Sequence, residues 1–199
     1  MRRLLFAVLA AAVLTAVASS ASAANPSLIR LKIGDAVDVV NTRVACFAIT
    51  SSGKDGIACV IWGKKNAPLV GSYGVGLAID DTAVLNRIKA DGTSQKIFKK
   101  RLPAAVGAAR TTYKVKVGEG FGIPAANGQI LGCQVLNVTS KSVEAIYRGV
   151  KVSCWFATAT KPVPDRYGIS ISDKIAGVFK FTPQGAMSTW GLVKPQPKG

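Results

Sequence analysis

Ser51-Ser52-Gly53-Lys54 has the S-x-x-K spacing of penicillin-binding enzymes, in which the serine is the nucleophile and the lysine lies one helical turn further on. Here the tetrapeptide contains a glycine and falls within TSSGKDGIAC, a stretch typical of a hairpin loop, where that helical geometry is not available. No K-T-G or S-D-N motif follows it. We therefore predict a surface turn rather than a nucleophile.

Paired carboxylates are a second possibility, because glycoside hydrolysis uses one protonated and one ionised acid. Asp80 and Asp81 are adjacent, so on a strand they would point to opposite faces, and in a turn they would be ordinary turn residues. Asp35 and Glu119 each follow a glycine, which a structural turn explains equally well. No acid pair is therefore predicted to be catalytic among the ten acids of the chain: Asp35, Asp38, Asp55, Asp80, Asp81, Asp91, Glu119, Glu144, Asp165 and Asp173.

The chain has no histidine, which excludes Ser-His-Asp and Cys-His arrangements and the H-E-x-x-H zinc motif. No two of its four cysteines have the C-x₂₋₄-C spacing of zinc sites, and the glycines from Gly118 to Gly122 miss the dinucleotide-binding register. We expect no metal, no cofactor and no enzymatic activity. The alternatives are a carboxylate-dependent enzyme that acts on envelope glycans and a secreted protein-binding or inhibitor module.

The first 23 residues have the order of a secretory signal peptide. Arg2 and Arg3 precede an apolar run from Leu4 to Ala18, and small residues ending Ala21-Ser22-Ala23 follow. The run is shorter than the roughly 20 apolar residues that a transmembrane helix needs. We predict cleavage after Ala23, with Ala24 as the alternative, and a protein that is periplasmic or extracellular.

The chain is strongly basic. It carries 26 Lys and Arg against 10 Asp and Glu, a formal charge of +16 that falls to +14 when Arg2 and Arg3 leave with the signal peptide. Such a charge favours polyanions such as teichoic acids, phospholipid head groups or lipopolysaccharide phosphates, and a solvated basic surface that keeps the protein soluble explains it equally well. Nucleic acid is not the expected partner of an exported protein. The oligomeric state is left open.

The best local binding feature is a basic cluster with one aromatic residue. Phe98 lies among basic residues, a combination in which cations engage phosphates while the ring stacks or inserts. A charged last strand is the competing interpretation. Trp62, Trp155 and Trp190 would suit a sugar-binding platform, but Trp62 and Trp155 follow cysteines and are expected to pack on disulfides. The candidate binding residues are Lys96, Phe98, Lys99, Lys100 and Arg101.

The same landmarks occur twice along the chain in the same order. A glycine followed by an acid, two cysteines, a Tyr-Gly pair and a late glycine recur, with 14 and 13 residues from the second cysteine to the tyrosine and 19 and 18 from there to the glycine. The cysteines are 13 and 21 residues apart, which indicates an insertion in the second copy. We predict a tandem duplication in which each copy closes its own disulfide, Cys46–Cys59 and Cys133–Cys154.

Period-2 alternation predicts an all-β fold. Ile29, Leu31 and Ile33 alternate with basic residues, as do Val115 and Val117, and turn sequences such as KADG separate the runs. We expect two tandem, homologous antiparallel β-sandwich or small-barrel modules, joined by a linker short enough for them to pack together as one unit. The predicted boundaries are a signal peptide at 1–23, copy 1 at 28–101, a linker at 102–111, copy 2 at 112–194 and a tail at 195–199.

The repeated pattern resembles a group of short secreted proteins of high-GC, actinobacterial-like bacteria. The match consists of G-D-x-V-x-V, two cysteines and Y-G-x-x-L, and it covers most of the chain after the signal peptide. The resemblance implies export and a disulfide-bonded β module, and it brings no activity with it. The matching residues are Gly34, Asp35, Cys46, Cys59, Tyr73, Gly74 and Leu77, then Gly118, Glu119, Cys133, Cys154, Tyr167, Gly168 and Ile171.

Overall fold

The computed structural model describes residues 28–63, 68–89, 91, 93–97, 109–139, 148–158, 161–184 and 186–193. The predicted signal peptide, most of the linker and the tail lie outside these residues. The described part contains one short 3₁₀ turn, Ala126–Gly128, and no helix long and apolar enough to cross a membrane. Its strands are β1 (Ile29–Arg30), β2 (Ala36–Val39), β3 (Val44–Ser51), β4 (Lys54–Ile61), β5 (Tyr73–Ala78), β6 (Ala83–Ile88), β7 (Ser94–Lys96), β8 (Thr112–Val115), β9 (Gly120–Pro124), β10 (Ile130–Val138), β11 (Gly149–Ala157), β12 (Tyr167–Ile171), β13 (Ala176–Phe181) and β14 (Met187–Val193).

The strands form two seven-stranded sheets, which confirms the predicted all-β class. One sheet has the order β7-β6-β5-β4-β3-β2-β8, and the other has the order β1-β9-β10-β11-β12-β13-β14. Neighbouring strands are antiparallel except for β1 with β9 and β2 with β8, which run parallel. The strands within 28–101, the predicted copy 1, therefore supply most of one sheet, and those within 112–194, the predicted copy 2, supply most of the other.

The two copies exchange their first strands. Strand β1 belongs to copy 1 but pairs with β9 of copy 2, with Ile29 opposite Phe121. Strand β8 belongs to copy 2 but pairs with β2 of copy 1, with Tyr113 opposite Val37. The predicted boundary at residues 102–111 thus separates the copies along the chain but not the sheets, and the two copies build one sandwich together.

Two crossing segments, residues 29–39 and 112–123, carry the chain from one sheet to the other. Each bends at a glycine with a positive φ, 95° at Gly34 and 90° at Gly118, a conformation that glycine adopts without steric cost. The acid that follows closes the bend: Asp35 accepts a hydrogen bond from the Lys32 N–H at 2.8 Å, and Glu119 accepts one from the Lys116 N–H at 2.8 Å. The repeated Gly-acid pair is therefore a corner motif.

The copies match in strand register as well as in sequence. Cys46 lies opposite Cys59, as Cys133 lies opposite Cys154. The corner glycines donate equivalent backbone bonds, Gly34 N–H to Ala48 O and Gly118 N–H to Val135 O. These equal registers are what a tandem duplication requires, and the duplication itself stays a prediction.

One hydrophobic core lies between the sheets. The inward-facing residues of both sheets form a single buried cluster, in which Leu77 and Leu85 of the first sheet join Phe121 and Leu131 of the second. Both predicted disulfides are formed, and their four cysteines are fully buried in this cluster. In the described residues, the inner face of each sheet is covered only by the inner face of the other sheet. The core therefore depends on both copies.

The expectation that Trp62 and Trp155 pack on the disulfides was wrong. Both follow the cysteines at odd offsets, so they lie on the opposite sheet faces from the disulfides; Trp62 packs edge-on against Phe47, and Trp155 packs edge-on against Phe181. The alternation of Val115 and Val117 does not continue as a strand, because β8 ends at Val115 and Val117, 48 % exposed, lies in the corner turn.

Candidate functional site

The S-x-x-K residues lie at the end of a hairpin. Ser51 and Lys54 are opposite each other where β3 turns into β4, and Ser52 and Gly53 have φ values of 52° and 73°, typical of a two-residue turn of type I′. Lys54 forms an ion pair with Asp80 in the neighbouring β5–β6 turn. Ser51 and Lys54 are therefore cross-strand neighbours and not residues one helical turn apart.

Three of the described acids, Asp55, Asp80 and Asp91, accept hydrogen bonds at or beside turns. Thr50 donates to Asp55, and the Thr93 N–H and hydroxyl both donate to Asp91, which lowers the pKa of Asp91. Partial burial raises the pKa of Asp80, but hydrogen bonds from Lys54 and Thr82 and the Lys54 charge outweigh it, so the pKa lies below its ordinary value. In the residues that the structure describes, no group of three or more acid or cysteine side chains is placed to hold a metal ion.

Asp81 ties the two sheets together. Its carboxylate accepts a hydrogen bond from the Tyr167 backbone N–H at 2.7 Å and lies 3.2 Å from Arg166 Nε. Arg166 also donates from Nη2 to the carbonyl oxygen of Ile79 at 2.9 Å, and its guanidinium lies 3.9 Å from the centre of the Phe156 ring. Asp81 therefore has a structural role that joins the β5–β6 turn to the start of β12.

The predicted basic cluster is only partly described. Lys96 ends the edge strand β7, opposite Asn86, and its side chain is exposed. Phe98, Lys99, Lys100 and Arg101 lie outside the described residues. The cluster stays a prediction.

The crossing segments carry exposed cations that sequence reasoning did not single out. The inward positions Leu31 and Val115 are buried in the core, and the basic residues that alternate with them point outward. Of the three acids in the same segments, Asp38 is exposed, whereas Asp35 is only 5 % exposed and Glu119 is half-buried, and these two are bonded to backbone N–H groups. We call the exposed set the crossing cations: Arg30, Lys32, Lys114 and Lys116.

A cleft of about 380 Å³ opens beside the second crossing segment. The β2–β3 turn forms one wall, Trp62 and Gly63 after β4 form another, and Lys114 on β8 closes the third side. Because β8 comes from copy 2, the strand exchange brings Lys114 to a site that is otherwise built from copy 1. Its lining residues are Asp38, Val39, Val40, Asn41, Thr42, Arg43, Val44, Trp62, Gly63 and Lys114.

Backbone and side-chain contacts hold the walls of the cleft. The Thr42 hydroxyl donates to Val39 O at 2.8 Å and accepts from the Val44 N–H at 3.1 Å, which fixes the turn that carries Arg43. The Trp62 backbone N–H donates to Arg43 O at 2.7 Å, and the Trp62 ring meets the Phe47 ring edge-on at 5.7 Å between centroids. Trp62 is half-buried and borders the same cleft as Arg43 and Lys114.

The charges of the cleft are mixed. Asp38 and Lys114 are opposite each other on parallel strands, and Arg43 is exposed on the adjoining turn. The cleft offers a ligand two sets of cationic donors, one carboxylate acceptor and one aromatic face. Sequence reasoning considered Trp62 as a sugar platform but had no signal that Asp38, Trp62 and Lys114 meet, because the register of β2 with β8 is not visible in the alternation pattern.

No protein-family model matches this chain, and neither a curated protein nor a solved structure matches it.

Proposed function

We propose that this protein is an exported, non-enzymatic β-sandwich that binds an anionic component of the cell envelope. The observation that carries the proposal is the distribution of charge on the crossing segments. Four cations and one acid, Asp38, are exposed there, whereas Asp35 and Glu119 are turned onto backbone N–H groups. A surface with an excess of exposed cations attracts a polyanion more strongly than a surface of balanced charge.

Several observations support export. The N-terminal residues have the pattern of a signal peptide, and both disulfides are of the kind that persists in oxidising compartments. The resemblance to secreted proteins of high-GC bacteria points the same way. These features together make an envelope polymer or membrane surface a more suitable partner than a cytoplasmic nucleic acid.

The two competing functions have less support in the described residues. A carboxylate-dependent glycan hydrolase needs an acid whose pKa is raised to serve as proton donor, whereas the pKa values of Asp80 and Asp91 are both lowered. A protein-binding module would favour a continuous apolar patch. The large exposed apolar residues instead come from four separate segments: Val70, Ile97, Val117 and Met187.

Co-sedimentation with purified envelope fractions tests the proposal. We expect the protein to sediment with one anionic fraction at low salt and to be released steeply as the salt concentration rises, because salt screens exposed charges. Sedimentation with no fraction at any salt concentration would overturn the proposal and would direct the search to a protein partner.

A further inference from the structure

We propose that the cleft beside Trp62 binds a single sugar unit that carries a carboxylate or phosphate, and this inference rests on the proposed binding of an anionic envelope polymer. The crossing cations alone would attract any polyanion. The cleft adds an indole ring, a guanidinium, an ammonium and a carboxylate on one concave surface of about 380 Å³. That combination is specific for a ligand that is anionic, hydroxylated and partly apolar at the same time.

The indole ring provides the surface for the apolar face of a sugar ring. Trp62 is half-buried, its edge-on contact with Phe47 restricts the ring before a ligand arrives, and the bond from its backbone N–H to Arg43 O holds the main chain on which the ring is carried. A rigid aromatic surface binds at low entropic cost, since little side-chain freedom is lost on binding. The C–H groups on one face of a pyranose ring are suited to such a surface.

The cations provide the recognition of charge. The planar guanidinium of Arg43 matches a carboxylate or a phosphate with two parallel hydrogen bonds, and the Lys114 ammonium adds a second positive charge. Both side chains are exposed and border the same cleft. They therefore select a sugar that bears an acidic group over a neutral one.

Asp38 distinguishes a sugar from a simple polyanion. A carboxylate repels phosphate oxygens but accepts hydrogen bonds from hydroxyl groups. Asp38 is exposed and opposite Lys114, so it lies where a ligand held by the cations would meet it. A bare phosphate chain gains nothing from this group, whereas an acidic sugar uses it.

The second copy does not repeat the cleft. By strand register, Gly122 takes the place of Asp38 beside the exchanged strand, and Arg30 takes the place of Lys114. Ala157 corresponds to Trp62, because each lies three residues beyond the second cysteine of its copy. The carboxylate and the aromatic ring are both missing there, so the inference gives one acidic-sugar site per chain.

Calorimetric titration of the purified protein at fixed ionic strength tests the inference. The ligands are an oligouronate, a neutral oligosaccharide of the same length, a phosphorylated sugar and a single-stranded oligonucleotide. We expect the oligouronate or the sugar phosphate to bind with one site per chain and at least about tenfold more tightly than the neutral sugar, and the stronger of the two identifies the acidic group.

Three variants locate the site. Trp62→Ala and Arg43→Gln are each expected to weaken acidic-sugar binding about tenfold, which corresponds to about 1.4 kcal/mol. Trp155→Ala, a half-buried tryptophan on the outer face of the other sheet, is the matched control and should leave binding unchanged. Because Arg43 is exposed, we expect Arg43→Gln to fold, so the site can still be tested if Trp62→Ala does not fold.

Three outcomes would overturn the inference. They are equal binding of neutral and acidic sugars, equal loss in the Trp62 and Trp155 variants, and oligonucleotide binding that is tighter than sugar binding and depends on Trp62. If the protein still sediments with an envelope fraction in any of these cases, the proposed function stands and only the acidic-sugar site is refuted. If it neither sediments nor binds an acidic sugar, both fall.

Discussion

Asp38 and Lys114 are opposite each other on parallel strands that come from different halves of the chain. The pair exists because β8 leaves its own copy and completes the sheet of the other, while β1 does the reverse. Each sheet therefore lacks an edge strand until both copies are present. The same exchange places Lys114 of β8 in the wall of the candidate binding cleft, so the cleft forms only when the strands are exchanged.

Separating the copies tests the strand exchange. If the chain is divided after Ala104 and the halves are expressed together in an oxidising compartment, we expect them to co-purify in equal amounts. Each half alone would leave β2 or β9 with an open edge and half of the core exposed, and we expect it to dimerise or aggregate. Size-exclusion chromatography with light scattering makes the measurement. Two stable monomeric halves that each unfold cooperatively would contradict the exchange.

Removing the charge of Asp81 tests the tie between the sheets. Asp81→Asn keeps a residue that tolerates the φ of 67° but leaves the partly buried Arg166 without its ion pair. We expect the free energy of unfolding, measured by denaturant titration, to fall by about 1–2 kcal/mol.

Asp165→Asn is the matched control for that change. Asp165 also has a positive φ, 55°, but its carboxylate is 59 % exposed and lies 3.6 Å from Lys180 Nζ. Exposed pairs of this kind contribute about 0.2–1 kcal/mol, so the decrease should be smaller. An equal or larger decrease in the control would contradict the assigned role of Asp81.

The two glycines of the repeated Tyr-Gly pairs should differ in their tolerance of alanine. A Cβ atom at Gly168 would lie 2.3 Å from two ring atoms of Phe179 and 2.9 Å from Cys154 O, whereas at Gly74 its nearest neighbour would be Val60 Cγ1 at 3.3 Å. We expect Gly168→Ala to destabilise the protein by about 1–3 kcal/mol and Gly74→Ala by clearly less, because overpacking forces side chains and backbone to shift. The midpoints of thermal unfolding of the two variants measure the difference. Equal destabilisation of both variants would refute the expectation.

The ion pair of Lys54 and Asp80 predicts a small stability term that depends on pH. Because the pKa of Asp80 is lowered in the folded state, its contribution is present above the unfolded-state pKa of about 3.9 and is lost as the pH falls through the folded-state value. The exposed pair should contribute at most about 1 kcal/mol. The difference in unfolding free energy between wild type and Asp80→Asn should therefore shrink in acid. A difference that grows as the pH falls would have the wrong sign.

Local patterns in the sequence were sufficient for the all-β class, for several of the strands and for the hairpin between Cys46 and Cys59, and the repeated landmarks were sufficient for both disulfides. They were not sufficient for the strand exchange, because Ile29 and Leu31 would alternate in the same way in either sheet. They also misplaced Trp62 and Trp155, since nearness to a cysteine in sequence was given more weight than the alternation of strand faces. The cleft was missed for a related reason: it depends on a parallel pairing between residues about 75 positions apart, Asp38 and Lys114.

The most direct test of polyanion binding compares two variants from which the same amount of positive charge has been removed. In one, the crossing cations Arg30, Lys32, Lys114 and Lys116 are changed to Gln; in the other, Lys96, Lys99, Lys100 and Arg101 are changed to Gln. The affinity of each for the envelope fraction that sediments with the wild type is measured across a range of salt concentrations. We expect the crossing variant to bind more weakly than the wild type and the other variant to retain most of its binding. In the crossing variant, the slope of the logarithm of the binding constant against the logarithm of the salt concentration should become flatter by about one unit for each anionic group that is no longer neutralised. Equally weakened binding in both variants, or weakening confined to the second, would contradict the assignment of binding to the crossing segments.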